Sequence, residues 1–296
     1  MNQGKDTMTN SHNLQKINVT IFIHTLNEQV NLPHALRSVI PHFSEVIVID
    51  AGSSDGTQEI AMASGAKLVQ ITGDRSTLVK QRNWALENIK PINEWVFILD
   101  ADESIPSDLR NEISTVIHEK NDNIDGYWVR YKEVILGRTL TRATLYPNWN
   151  MRLLRASKAR YENRTVNAHV NIPHQRTSKL FCHFIHDDKR GFKAYVKRMA
   201  SITVVEALSL DEMYNSKDEN LMQGSLFSKS FISRRRALKK IFYKLPFRPL
   251  IIFFYLYFIR MGFLEGKPGL NHCIYKACTE AMVNILRWEA KNLDHE

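Results

Sequence analysis

Three carboxylates crowd into four residues at Asp100, Asp102 and Glu103, directly after the apolar run Trp95-Val96-Phe97-Ile98-Leu99. Acids this close repel one another and raise each other's pKa unless something compensates them. A hard divalent cation with oxygen ligands, Mg2+ or Mn2+, does so and keeps positions for water and substrate phosphates. The same acids also suit the start of a helix, which Pro106 and Ser107 open, because negative charge is favoured there. On this cluster alone both readings stand. Two further polar groups follow apolar runs. His24-Thr25-Leu26-Asn27-Glu28 ends the run over residues 17–23, and Asp50-Ala51-Gly52-Ser53-Ser54-Asp55-Gly56-Thr57 ends the run over 45–50. Asp55 reads as a helix cap. Asp50, an acid at the very end of a strand, suits a ribose hydroxyl or a base N–H.

These residues need elements that bring them together. Apolar runs at 17–23, 45–50, 67–71 and 95–99 are separated by helical spacing over 30–40, 57–64 and 78–89. Strands without polar alternation are covered on both faces, which marks a parallel α/β sheet. Ligands of such sheets sit outside the carboxyl ends of the strands, so the three polar groups share one edge. No G-x-G-x-x-G follows the first strand and no G-x-x-x-x-G-K-[ST] occurs, which argues against a dinucleotide fingerprint and a P-loop. Strand-like pieces at 126–131, 134–140 and 150–155 predict a smaller mixed sheet extending the first. From residue 191 the pattern turns helical, over 192–210, 229–244, 250–263 and 271–288. The expected division is a flexible tail at 1–16, an α/β domain at 17–190 and a helical region at 191–296.

The chain has 296 residues and a net charge of +9, from 40 Lys+Arg and 31 Asp+Glu; 44% of residues are hydrophobic and 24% charged. That composition excludes a disordered or low-complexity protein. Three cysteines, Cys182, Cys273 and Cys278, are too few for a disulfide framework and point to a reducing compartment. No secretory leader is expected from the polar N-terminus, and the apolar stretch 250–259 is shorter than the ~20 residues of a spanning helix. Between Ser228 and Arg248 there are eight Lys/Arg and no Asp/Glu, interleaved with Phe, Ile and Leu. This basic amphipathic pattern predicts peripheral association with an anionic membrane surface, although a solvated basic face beside an ordinary core helix has the same composition. No nucleic-acid-binding module is present, so nucleic acid is not an expected partner.

Four motifs in order, Thr25-Leu26-Asn27-Glu28, Val48 through Thr57, Gln81-Arg82-Asn83-Trp84-Ala85-Leu86 and Leu99-Asp100-Ala101-Asp102-Glu103, resemble glycosyltransferase family 2. Tyr146-Pro147, Met151-Arg152-Leu153-Leu154-Arg155, His186-Asp187-Asp188 and Gly262-Phe263-Leu264-Glu265-Gly266 are similar to its branch of bacterial lipopolysaccharide-core and surface-polysaccharide enzymes. The resemblance implies the GT-A fold, a Rossmann-like, mostly parallel sheet, here with a helical, basic C-terminal extension. It implies an inverting transfer from a nucleotide-diphosphate sugar, expected to be a UDP-sugar, to a lipid-linked or polysaccharide acceptor. Thr25, Asn27, Glu28, Asp50, Arg82 and Asp100 would surround the nucleotide. Asp100 and Asp102 would bring Mg2+ or Mn2+ to the diphosphate, with Asp102 the more direct ligand and His186 in reach of the metal. Working on a soluble donor and a lipid-linked acceptor places the enzyme in the cytoplasm, at the inner face of the cytoplasmic membrane.

Inversion needs a base opposite the leaving group, and here the chain departs from its branch. Ala168, in Val166-Asn167-Ala168-His169, stands where the branch carries a glutamate. The remaining candidates are His169, Glu103 and Glu162, with Asp102 completing the catalytic set. The same departure supports an alternative, a catalytically weak relative that binds a nucleotide sugar and assembles with other polysaccharide enzymes. His183 and His186 form an H-x-x-H with only Cys182 nearby, short of the three or four ligands zinc requires; they read as a structural pair.

Overall fold

The computed structural model describes residues 15–162, 169–215, 234, 241, 242, 245 and 247–292. The first half alternates as its apolar runs require: β1 (Ile17–Thr25), α1 (Leu32–Val39), β2 (Phe43–Asp50), α2 (Thr57–Ala63), β3 (Lys67–Gln70), α3 (Leu78–Asn88) and β4 (Trp95–Asp100). The four strands are parallel neighbours in the order β3-β2-β1-β4. One face buries Ile21, Ile23, Val48 and Leu99 against α1 and α4 (Ser107–His118); the other buries Phe22, Ile47, Ile49 and Ile98 against α3. Burial on both faces is the reason these strands carry no polar alternation.

The sheet then turns mixed. β8 (Asn148–Arg155) runs antiparallel to β4, β6 (Gly126–Ile135) antiparallel to β8, and β7 (Arg138–Leu140) closes a hairpin on β6. Beyond β6 lies β9 (Thr177–His186), parallel to it, and the two-residue β5 (Glu103–Ser104) pairs with the end of β9. These elements form a single sheet of nine strands among the described residues, as the expected extension requires. β5 and β9 have no counterpart in the sequence reading. β9 buries Leu180 and Phe184 between exposed or half-buried neighbours, a half-covered pattern at the side of the sheet. Its register also corrects the H-x-x-H expectation. His183 and His186 are three apart in a strand, so their side chains leave opposite faces and do not form a pair.

The C-terminal part is helical. It comprises α5 (Phe192–Asn215), α6 (Arg248–Phe254), a π turn (Tyr255–Ile259), a 3-10 turn (Gly262–Glu265) and α7 (Gly266–Asn292). The apolar stretch 250–263 is broken rather than continuous, because Met261 takes a left-handed φ of 57° and the flanking helices meet at 71°. Among the described residues no single helix is long and apolar enough to cross a membrane. Most of the expected tail at 1–16 and of the basic helix at 229–244 lies outside the described residues, as does Ala168.

A buried carboxylate latches this region to the sheet. Glu265 accepts hydrogen bonds from the backbone N–H groups of Thr141 (2.7 Å), Arg142 (3.0 Å) and Ala143 (2.8 Å). Arg260 donates to the carbonyls of Thr141 and Tyr146 in the same loop. Gly262 allows the approach, since a Cβ there would stand 2.7 Å from the Leu256 carbonyl oxygen and 3.2 Å from Ala143 Cα. Glu265→Ala leaves three donors without their acceptor, and an unsatisfied buried group costs about 1 kcal/mol or more. Urea unfolding is expected to show a loss of roughly 3 kcal/mol, with Glu265→Gln recovering part through its amide oxygen. An unchanged midpoint for the alanine variant would remove the latch from the stability of the fold.

His272, inside α7, is 1% exposed and both ring nitrogens lack a partner among the described residues. Burial, assisted by Lys276, pushes its pKa down to about 3. A depressed histidine binds its proton more readily in the unfolded chain. Its contribution is therefore fully present above the unfolded value of about 6.5 and lost as pH falls from there towards 3. Thermal melts between pH 7 and 4 are expected to fall less steeply for His272→Leu than for the parent. Parallel curves would show that the ring is solvated when protonated.

Candidate active site

The ends of β1 and β2 are joined by a zipper of turn hydrogen bonds. Asn27, held at φ 57°, accepts from the Ser54 N–H at 2.8 Å, while its own N–H donates to Ser53 Oγ at 2.8 Å. The Glu28 N–H donates to Thr57 Oγ1 at 2.8 Å and the Gln29 N–H to Asp55 at 3.2 Å. Asp55 also takes the Thr57 N–H and hydroxyl, the capping role expected of it. Asp50 is wholly buried, and its oxygens accept from Thr25, from the Gly52 and Ser53 N–H groups, from the Ser53 hydroxyl and from Gln58. The nucleotide contact expected of Asp50 therefore falls at the floor of this turn. With every acceptor position engaged, Asp50 shapes the 52–57 turn. Thr25, 2% exposed and donating to Asp50, braces the same turn.

Next to this zipper, acids and guanidinium groups alternate. Asp100 receives Arg82 at 2.6 Å on one oxygen and Arg152 at 3.0 Å on the other. Burial alone would raise the Asp100 pKa, but the two guanidiniums outweigh it and hold the carboxyl well below the usual range. Arg152 also binds Glu103 at 2.6 Å, and the second Glu103 oxygen accepts the Asp100 N–H at 2.9 Å. Burial pushes Glu103 up to about 7 against the pull of Arg152. Glu28, raised by burial, is held by Asn31 at 2.7 Å and Arg190 at 3.1 Å. Asn31 stitches this loop to the segment after β9, donating to Asp188 and accepting from the Lys189 N–H.

Asp102 is placed differently. Its Oδ2 lies 3.2 Å from His186 Nε2 and 2.5 Å from Arg198 in α5, with Arg198 also 3.6 Å from Asp188. The β5–β9 ladder sets Glu103 opposite His186, and that pairing carries the imidazole to Asp102. Burial works against a charged ring at His186, but Asp102 prevails and pushes its pKa up to about 9. The same partners hold the Asp102 carboxyl well below its usual range although burial opposes them.

Among the described residues no three His, Cys, Asp or Glu side chains converge as a self-sufficient metal cage. Asp102 offers one carboxylate, and one or two carboxylates completed by water and substrate phosphates is the ordinary Mg2+ arrangement; His186, 3.2 Å away, would add a nitrogen ligand only after giving up the proton that Asp102 stabilises on it. The donor set therefore fits a divalent ion shared with a diphosphate. Asp100, the other aspartate of the expected pair, has Arg82 on one oxygen and Arg152 on the other. Glu103, a candidate base, is 5% exposed, with Arg152 on one oxygen and the Asp100 N–H on the other.

His169 and Glu162 sit on the strip that Tyr161 and Val170 pin together. Asn83 of α3 holds that strip by two hydrogen bonds to the Tyr161 backbone, at 2.8 and 3.1 Å, and Arg82 lies 5.5 Å from the Tyr161 ring centre. The strip is thus tied to α3 through Tyr161, and Asp102 with His186 belongs to the β5–β9 side. Arg152, Arg190 and Arg198 had no role in the sequence reading. Only Arg152 carried a signal, as a charge inside the otherwise apolar Met151-Arg152-Leu153-Leu154 strand. A buried strand tolerates arginine where acids meet it.

Comparison with known proteins agrees with this geometry. The profile of Glycosyl transferase family 2 matches residues 20–180. A lipopolysaccharide core biosynthesis glycosyltransferase, LpsC, of Rhizobium meliloti (strain 1021) is 25% identical over 287 residues, covering 91% of this chain and 93% of that protein. An uncharacterized glycosyltransferase of Rickettsia bellii (strain RML369-C) is 33% identical over 153 residues, which span 51% of this chain and 50% of the relative. The structure of S. aureus TarS 1–349 overlays 94% of this chain and 93% of its own with 16% identity and a TM-score of 0.42, a likeness too loose to transfer a site.

Proposed function

The chain belongs to glycosyltransferase family 2, and from that premise we propose that it moves a sugar from a UDP-sugar to a saccharide acceptor of lipopolysaccharide or another surface polysaccharide. The observation that carries the donor half is the Asp102–His186 pair, 3.2 Å apart and rimmed by Arg82, Arg152, Arg190 and Arg198. A carboxylate and an imidazole suited to a divalent ion, with guanidiniums around them, suit a diphosphate that leaves with negative charge. Asp102 and His186 would hold the ion, which would supply charge stabilisation to the departing diphosphate. Arg82 borders the nucleotide side, and Asn27 and Glu28 shape the loop that the nucleotide meets.

Transfer with inversion calls for a base on the acceptor side. We assign that role to His169, on the strip that Tyr161 and Val170 pin together, with Glu162 and Glu103 as the other candidates. The acceptor class follows the relative in Rhizobium meliloti, named for lipopolysaccharide core synthesis and aligned along nearly its whole length. Membrane association is part of the same proposal. It is supported by an exposed apolar ridge on and beside α6, with Phe247 75%, Leu250 58%, Phe254 56%, Phe258 50% and Ile259 73% exposed, and by the basic stretch that precedes it in the sequence. Aromatic side chains in such a ridge suit the lipid–water interface.

Calorimetry with UDP in the presence and absence of MnCl2 tests the donor reading. Uptake that depends on the metal, together with slow hydrolysis of one UDP-sugar from a panel, is expected. Release of pyrophosphate from UTP and a sugar phosphate would instead mark a nucleotidyltransferase, and no UDP uptake at millimolar concentration would end the proposal.

A further inference from the structure

The sheet carries a second polar region that the donor site does not use. It lies on β6, β8 and β9, where Arg130 faces Trp149 across one ladder and His183 across the other, and Trp128 faces Lys179. Trp128 packs on the core on the α3 side of the sheet, so Arg130, two residues on, leaves the same face. Asp100 also shares that face, two residues beyond Ile98. Arg130 stands 5.8 Å from the Tyr146 ring centre and 5.9 Å from that of Trp149, while Lys179 Nζ lies 4.9 Å from Trp149.

The partners of these cations are unusual in kind. Arg130 donates to the Phe181 carbonyl oxygen, and among the described residues its Nε is buried without a partner. Among the described residues neither Arg130, Lys132 nor Lys179 forms an ion pair with a carboxylate, in contrast to the arginines of the donor site. Aromatic rings orient a cation through their negative faces and leave its charge uncancelled. A group of positive charges held in this way, half-buried at Arg130, Lys132 and Trp149, is complementary to an anion. The site is also close to the chemistry. Arg130 pairs with His183 and Glu133 with His186, so three residues of strand, about 10 Å, lie between the platform and His186, whose side chain leaves the opposite face, while Asp100 with its Arg82 partner lies on the platform's own face.

We infer that this platform binds the acceptor and that the acceptor is an anionic saccharide, its carboxylate or phosphate held by Arg130 and Lys179 beside the Trp149 and Tyr146 rings. The inference rests on the transferase reading above and adds the charge of the acceptor and where it lies. Charge-assisted hydrogen bonds from a guanidinium and an ammonium to a carboxylate or phosphate are stronger than neutral ones, and the flanking rings offer apolar faces to the saccharide.

Three probes titrated into the full chain test it: maltotetraose, maltotetraose carrying one phosphate, and a glucuronate-containing tetrasaccharide. At least one charged probe is expected to bind about tenfold tighter than the neutral one, and which of the two it is identifies the acidic group. Lys179→Glu, a change at an exposed side chain, is expected to erase that preference, as is Arg130→Gln, while UDP uptake with MnCl2 stays as in the parent. Equal affinity for all three probes, or an undiminished preference in both variants, would overturn the platform. If those results come with intact UDP uptake, the transferase reading survives and only the acceptor site falls. If the parent fails to take up UDP at all, the reading beneath it has failed and the acceptor assignment goes with it.

Discussion

Asp102→Asn is expected to lower kcat for sugar transfer by about a thousandfold, equivalent to roughly 4 kcal/mol of transition-state stabilisation. Asparagine matches the size of aspartate, so what is removed is charge. A divalent ion between Asp102 and His186 would lose its anionic ligand, and Arg198, 2.5 Å from the same oxygen, would lose its nearest carboxylate. UDP affinity measured with MnCl2 should fall in parallel, whereas a variant that merely loosened the fold would lower the melting temperature as well. Asp50→Asn is the informative contrast. That side chain is sealed under the 52–57 turn by several donors, so its cost is expected in stability, with metal dependence retained. Activity of Asp102→Asn within tenfold of the parent would contradict the role given to the Asp102–His186 pair.

Arg152→Met is expected to destabilise the fold by about 3–5 kcal/mol, the range for removing one member of a buried ionic group. The Arg152 side chain is 6% exposed, joins Asp100 to Glu103, and lies 5.2 Å from the Phe184 ring centre. Without it Glu103, already pushed up to about 7 by burial, has no opposing cation on its Oε1. Methionine fills much of the space, so the loss reports charge more than cavity. Pairing the change with Glu103→Gln should return part of the stability, because the uncompensated acid is then gone. Urea unfolding of the two single variants and the double gives the coupling directly. Additive losses would mean that Arg152 and Glu103 do not depend on each other.

Much of this protein is local in origin and was legible along the chain. The unalternating apolar runs require strands covered on both faces, and the turn residues after them require tight loops at one edge. Hence the parallel strands, the Asp55 turn ahead of α2 and the position of Asp100, Asp102 and Glu103 follow from residues a few places apart. Which of those acids is free to act is decided elsewhere. Asp50 and Asp100 stand at strand ends just as Asp102 does, yet the first is closed over by its own turn and the second is taken by Arg82 and Arg152, 18 and 52 residues away. His186 reaches Asp102 because the two-residue β5 pairs with β9, and a ladder that short has no periodicity to read. Arg198 meets Asp102 across 96 residues and Arg190 meets Glu28 across 162. Periodicity and turn chemistry act over one or two turns of chain, so they specify elements and edges. The charge partners depend on strand order and on how α5 returns over the sheet, and those arise only when the whole chain has packed.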